Sequence, residues 1–261
     1  MTASTPTIPA QLDLSGRTVL VSGAGSPSGI GFATARLLGT QGARVALTAT
    51  TERVHVRASE LTQLGIDAVG LVVDLTVEVA VESALRQTRT ALGPIAILVN
   101  NAGMTSQARP VLGDSLRDTE SGTIVDTAPD AWRQALMRNL NTAYLTTRAA
   151  LPDMVSAGWG RVVMVASVTG PVMAMRAEAA YAASKAAMMG LMRAVALDHA
   201  GDGVTCNAVA PGWIATDSQS THEASQAHST AVGRACSPDE VATAIATLCA
   251  FPAPATPPGS S

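Results

Sequence analysis

Arg17-Thr-Val-Leu-Val-Ser-Gly-Ala-Gly-Ser-Pro-Ser-Gly-Ile-Gly31 is the stretch whose reading decides the fold. Arg17–Ser22 is a short strand. Gly23, Gly25, Gly29 and Gly31 follow, with Ser26-Pro27-Ser28 between them. Ile30–Gln41 then carries Ala33, Leu37 and Leu38 at helical spacing. Strand, Gly-rich turn and helix is the context that a dinucleotide site needs. Glycines let the backbone approach a pyrophosphate, and the helix start offers free N–H groups and a positive dipole end. An ordinary βα turn is the competing reading of the turn taken alone. The rest of the chain continues the alternation: strands at Ala43–Ala49, Ala68–Val73, Ile95–Val99, Gly160–Ala166 and Val204–Val209, with helices at Glu52–Leu64, Val77–Leu92, 130–154, around Tyr181 and from Ser237 to about Ala250. Unbroken apolar runs at strand positions, separated by helices, predict a parallel sheet covered on both faces. The fold class is therefore α/β, a doubly wound parallel sheet of six strands in one domain over residues 12–250.

Composition narrows the function. The 261 residues are 47% hydrophobic but only 3% aromatic, so the core must be aliphatic. A net charge of −3 without a basic run argues against a nucleic-acid surface. The apolar stretches stop short of a membrane span. Met1–Gln11 lacks a basic start and an apolar run, so it reads as a frayed lead-in rather than a signal peptide. Cys206, Cys236 and Cys249 show no metal or redox spacing, and a reduced, cytoplasmic protein without a metal is expected.

Polar residues at the carboxyl ends of the strands stand out against this background. Asn100-Asn101 closes one strand, where amides can tie loop backbone together beside a ligand crevice. Asn139 lies mid-helix, either as an exposed polar position or as a functional amide. Tyr181 and Lys185 are four apart in an Ala- and Met-rich helical run, which puts both on one face. A phenol is a poor acid near neutral pH, and an ammonium beside it in a half-dry cleft favours the phenolate. The pair is thus a proton donor for a carbonyl oxygen. By itself the spacing more often means a helix showing two polar residues to solvent. Met104–Asp130 is a long loop. Ser218–Val232 reads as a mobile polar flap whose His222 and His228 face solvent more readily than a ligand. Arg109 and Arg176 are surface arginines or contacts for an anionic group.

Taken together, over roughly residues 12–250, the sequence resembles the short-chain dehydrogenase/reductase family, and its 3-oxoacyl-carrier-protein reductase-like members in particular. The motifs run in order: Gly29-Ile30-Gly31, Asp74-Leu75, Asn100-Asn101-Ala102-Gly103, Asn139, Ser167, Tyr181-x-x-x-Lys185 and Pro211-Gly212. The resemblance implies that Tyr181 exchanges a proton with the substrate oxygen and that Ser167 hydrogen-bonds it. It implies that Lys185 assists Tyr181 and holds the nicotinamide ribose, and that Asn139 holds a water leading to solvent. Gly23, Gly25, Ser28, Gly29, Ile30 and Gly31 would wrap the pyrophosphate. Asp74 and Leu75 would meet the adenine, and Asn101, Ala102 and Gly103 the adenosine ribose side. Pro211, Gly212, Ile214 and Thr216 would lie along the carboxamide. The implied reaction is hydride transfer between a nicotinamide cofactor and a ketone, 3-oxoacyl among the candidates, or a secondary alcohol. A homotetramer or homodimer is the implied assembly.

Three departures qualify the resemblance. The Gly-rich turn is two residues longer than usual if Gly23 is its first glycine. Thr50-Thr51 and Arg53 replace the usual acidic ribose selector; they favour NADP(H), whereas Glu52 would favour NAD(H). The C-terminal seventh strand is missing, and residues 251–261 form an irregular Pro-rich tail. This tail reads as a reading-frame change or an artefact near Leu248–Phe251, which sequencing of the encoding DNA decides. Two alternatives accompany the main reading: an NAD-dependent alcohol or polyol dehydrogenase, and a truncated, inactive nucleotide-binding homologue.

Overall fold

The computed structural model describes residues 12–104, 122–217 and 221–250. The lead-in 1–11, Arg109 within 105–121, the His222 side chain and the tail 251–261 lie outside the described residues. Six strands form one sheet: β1 (Thr18–Val21), β2 (Arg44–Ala49), β3 (Ala68–Val72), β4 (Ile95–Asn100), β5 (Gly160–Val165) and β6 (Val204–Val209). Their order is β3-β2-β1-β4-β5-β6 and every pairing is parallel. That order is the doubly wound arrangement, with its switch point between β1 and β4.

The apolar runs are buried on both faces because successive side chains point to opposite sides. Val19, Val21, Ile97, Val99 and Val163 join a core with α1 (Ile30–Thr40), α2 (Arg53–Gln63) and α8 (Pro238–Ala250). Leu20, Leu98, Val162 and Met164 join a second core with α3 (Glu78–Leu92), α5 (Thr142–Ser156) and α6 (Ala179–Asp198). Each fully buried Val or Leu contributes about 1.5–3 kcal/mol, so burial of these aliphatic runs favours packing the helices on both faces of the sheet. Among the described residues the sheet ends at β6.

One expectation gains a detail and another is corrected. The helix read over 130–154 runs without a break from Pro129 to Ser156, through α4 (Pro129–Leu136), a wide π-turn at Met137–Asn141, and α5. The π-turn surrounds Asn139, whose side chain is taken up by tertiary partners described below. The polar segment read as a flap contains a helix, α7 (Thr221–His228). The helix start at Ser237 is as expected: Ser237 N–H donates to Glu240 Oε2 at 2.7 Å and Glu240 N–H donates to Ser237 Oγ at 3.2 Å, a reciprocal cap. Among the described residues no helix is long and apolar enough to cross a membrane.

Candidate active site

The carboxyl ends of β1, β4, β5 and β6 open into one crevice. Asn101 ties its floor together. Its Nδ2 donates to Ser22 O at 2.9 Å and to Gly23 O at 3.0 Å. Ser22 Oγ accepts from Asn101 N–H at 3.0 Å and Ala102 N–H at 2.9 Å. Gly23 has φ +69°, and a Cβ there would fall 2.8 Å from Ala102 Cα. The first glycine of the turn therefore serves close packing against β4's exit. Gly29 caps α1 with no side-chain hydrogen bond and no acidic residue in the first turn. Unclaimed N–H groups at a helix start suit an anionic diphosphate, so the residues present fit a dinucleotide. Asn100, in contrast, points away from the crevice. It donates to Thr147 Oγ1 at 2.8 Å and accepts from Thr146 Oγ1 at 2.6 Å, which pins α5 to β4.

A cavity of about 150 Å³ lies at the centre of the crevice, walled in part by Ile30, Asn101, Gly103, Ser167, Tyr181, Lys185, Pro211, Gly212 and Ile214. All nine were candidates on sequence grounds, from segments up to 184 residues apart. Tyr181 and Lys185 sit one turn apart on α6. Lys185 Nζ lies 5.7 Å from the Tyr181 ring centroid and donates to Val165 O at 2.9 Å. Only 3% of Lys185 is exposed. Burial pulls its ammonium down to about 8. Ser167 Oγ accepts from Thr169 N–H at 3.1 Å, which leaves the hydroxyl proton to be donated into the cavity. Val168 N–H donates to Pro211 O at 3.0 Å and so joins the Ser167 loop to the Pro211-Gly212 segment.

Asn139 is 1% exposed, which removes the reading of an exposed polar position. Its Oδ1 accepts from Met104 N–H at 3.0 Å, and its Nδ2 donates to Met104 O and Ala135 O, each at 3.1 Å. It stands directly behind the cavity: a Cβ on Gly103 would lie 2.7 Å from Asn139 Oδ1 and 3.3 Å from Lys185 Nζ. Gly103, at φ +150°, is thus the one residue thin enough to let the amide and the ammonium meet the same loop.

The adenosine-side candidates lie at the ends of β2 and β3. Arg53 Nε donates to Thr51 Oγ1 at 3.3 Å, and both Thr50 and Arg53 are exposed. Glu52 Oε2 lies 3.2 Å from His55 Nε2, within its own helix turn. Asp74 Oδ1 accepts from Thr76 N–H at 2.9 Å and Thr76 Oγ1 at 2.7 Å, and Leu75 is buried. His228 is at the end of α7, with Nδ1 3.1 Å from Gly233 O, a local turn contact. Arg176 is exposed. Ser22, the Val165 carbonyl and the Met104 backbone are site-building groups that sequence reasoning missed. Only Ser22, a hydroxyl at the end of β1, carried a usable signal.

Comparison with known proteins agrees with this geometry. Residues 17–227 match the short chain dehydrogenase family. The chain is 36% identical over 208 residues to D-beta-hydroxybutyrate dehydrogenase of Cupriavidus necator, covering 78% of this chain and 72% of that protein. It is 37% identical over 207 residues to 3-oxoacyl-(acyl-carrier-protein) reductase FabG of Pseudomonas aeruginosa, covering 79% and 77%. A solved dehydrogenase/reductase from Sinorhizobium meliloti 1021 superposes with a TM-score of 0.80 at 31% identity, covering 93% of this chain and 91% of that one. A structure described as an NAD(P)-dependent gluconate 5-dehydrogenase from Beutenbergia cavernae, with NADP bound at low occupancy, also gives 0.80 at 31%, covering 92% and 91%. With these matches laid over a doubly wound sheet and a Ser-Tyr-Lys cavity at its switch point, the chain belongs to the short-chain dehydrogenase/reductase family of oxidoreductases.

Proposed function

We propose that the protein interconverts a ketone and a secondary alcohol with NADP(H), using Tyr181 as the proton donor and acceptor. The observation that carries this reading is the convergence of Ser167, Tyr181 and Lys185 on one cavity. A bound nicotinamide supplies or accepts the hydride. The chain's own residues do the rest. Ser167 donates its hydroxyl proton to the substrate oxygen and fixes the carbonyl. Tyr181 passes its phenolic proton to the same oxygen, or removes it in the oxidative direction. With Lys185 Nζ 5.7 Å from the ring centroid, its positive charge favours the phenolate over the neutral phenol. Asn139, held rigid by Met104, backs Lys185 and gives that side of the cavity its fixed shape.

Preference for NADP(H) is supported by the end of β2. Arg53 and the two threonines present a cation and hydroxyls where a 2′-phosphate would lie, and Glu52 is turned to His55. Assembly as a homo-oligomer is supported by an apolar groove of about 630 Å³ between α5 and α6, with Leu191 and Val195 in its wall. Three free thiols are in keeping with a reduced, cytoplasmic setting. The intact Ser, Tyr, Lys and Asn set speaks against an inactive homologue.

The test is a panel of ketones and alcohols assayed with NADPH and NADH. Tyr181→Phe is expected to lower turnover by about 10²–10⁴-fold while fluorescence titration still shows cofactor binding. Undiminished turnover in that variant would refute the role, and faster rates with NADH would move the assignment to the NAD-dependent alcohol or polyol dehydrogenase reading.

A further inference from the structure

Ser28 makes a contact that neither the fold nor the proposed reaction requires. It stands in the Gly-rich turn, one residue before the Gly29 cap of α1. Its Oγ accepts the backbone N–H of Asp217 at 3.0 Å, across 189 positions of sequence. Asp217 lies on the stretch that leaves β6 through Pro211. Most of that segment is already fastened. Pro211 O is bonded to Val168 N–H at 3.0 Å, and Trp213 O and Ala215 N–H pair with the Cys236 backbone, each at 2.9 Å. Ile214 walls the central cavity. The Ser28–Asp217 bond therefore joins the far end of the nicotinamide-side segment to the turn where a diphosphate would sit.

We propose that Ser28 is a positioning residue that couples occupation of the phosphate turn to the placement of residues 214–217 beside the cavity. The inference rests on the dinucleotide reading given above. Its chemistry is a two-step hydrogen-bond chain. Because Ser28 Oγ accepts from Asp217 N–H, its own proton is left to donate. Ser26 Oγ, 3.4 Å away, is a weak recipient. A diphosphate oxygen at the turn would be a charged and far stronger one. Donation to an anion polarises the hydroxyl and strengthens the bond it accepts, since linked hydrogen bonds reinforce one another. An anion at the turn thus tightens the hold on Asp217. That hold keeps Thr216 and Ile214 where they stand beside the nicotinamide end, and no side chain has to change place.

Amide hydrogen exchange followed on a peptide spanning residues 213–217 tests this without reference to turnover. In the protein without cofactor, Ser28→Ala is expected to speed exchange at the Asp217 amide by about fivefold, the loss of one ordinary hydrogen bond, while Ser28→Thr keeps the wild-type rate. Adding NADP+ is expected to slow that amide further in wild type and in Ser28→Thr, but by less than half as much in Ser28→Ala under matched saturation. The proposal is overturned if Ser28→Ala leaves the amide's exchange unchanged. It is equally overturned if NADP+ protects the amide to the same degree in the wild type and the alanine variant. If neither NADP+ nor NAD+ binds the wild type by fluorescence titration, the dinucleotide reading fails and takes the coupling with it. The cofactor-free comparison still decides whether Ser28 holds Asp217.

Discussion

Replacing Lys185 with Met should make the protein more stable and inactive, and the structure sets the size of the effect. The ammonium is 3% exposed and donates to the Val165 carbonyl at 2.9 Å. Burial lowers it from 10.5 to about 8. Each pKa unit is about 1.4 kcal/mol, so keeping the charge in the folded protein costs about 3 kcal/mol at pH 7. Met fills similar volume without a charge, but it forfeits the hydrogen bond to Val165, worth about 1 kcal/mol net. The balance is a gain of about 2 kcal/mol, or roughly 5 °C in Tm for a chain of this size. The pH dependence has a fixed sign. Between about 8 and 10.5 the unfolded lysine still holds its proton while the folded one has lost it, so the wild type becomes more stable as pH rises through that window. The advantage of Lys185→Met should therefore be full below pH 8 and gone by about pH 10.5. Groups remote from Lys185 cancel in the difference, and making both proteins on a Tyr181→Phe background removes the coupled phenol. Thermal melts of the two cofactor-free proteins at pH 7, 9 and 10.5 measure it. A variant that melts below wild type at pH 7, or an advantage that does not change with pH, would refute the reasoning. The stability forgone by keeping Lys185 is what holds a cation beside the Tyr181 ring.

Further outcomes follow from other contacts. Asn101→Ala removes the two bonds to Ser22 O and Gly23 O; a loss of about 1–2 kcal/mol by denaturant titration, with weaker NADP+ binding, is expected, and an unshifted midpoint would contradict it. Ala177 is the one non-glycine with positive φ among the described residues, at 60°, one residue before the buried Glu178. Ala177→Gly should therefore raise stability by about 0.5–1 kcal/mol, the αL penalty less glycine's extra chain entropy, and a lowered denaturation midpoint would show that the corner is not strained. Cys206 and Cys249 are buried and their thiols are pushed up to about 12, whereas Cys236 is half-buried. A disulfide reagent at pH 8 should thus modify one thiol quickly in the native protein and all three after denaturation, and two fast thiols would place one of the buried pair at the surface.

The elements were legible because their signals are short-range. Val19–Val21 and Ile97–Val99 are apolar at every position, and such short runs, alternating with helices along the chain, suit strands buried on both faces. Gly29 before an apolar helix and Ser237-Pro238 before Glu240 mark helix starts by local backbone chemistry. The i,i+4 spacing of Tyr181 and Lys185 puts them on one face wherever the helix is packed. The sequence alone therefore determined the layered architecture, the strand ends at which polar residues collect, and the pairing of phenol with ammonium. It did not determine which polar residue faces what. Asn100 and Asn101 are neighbours of one type, yet one is buried against Thr146 and Thr147 while the other ties the crevice floor, because the strand's pleat turns them to opposite sides. Asn139 looked like a misfit in a helix until β4's exit brought Met104 beside it. How far Lys185 is desolvated, and that Ser28 meets Asp217, depend on segments brought together only when β1, β4, β5 and β6 align their carboxyl ends. Contacts across 80 or 189 residues have no period to read in the chain, and the assembled sheet sets them.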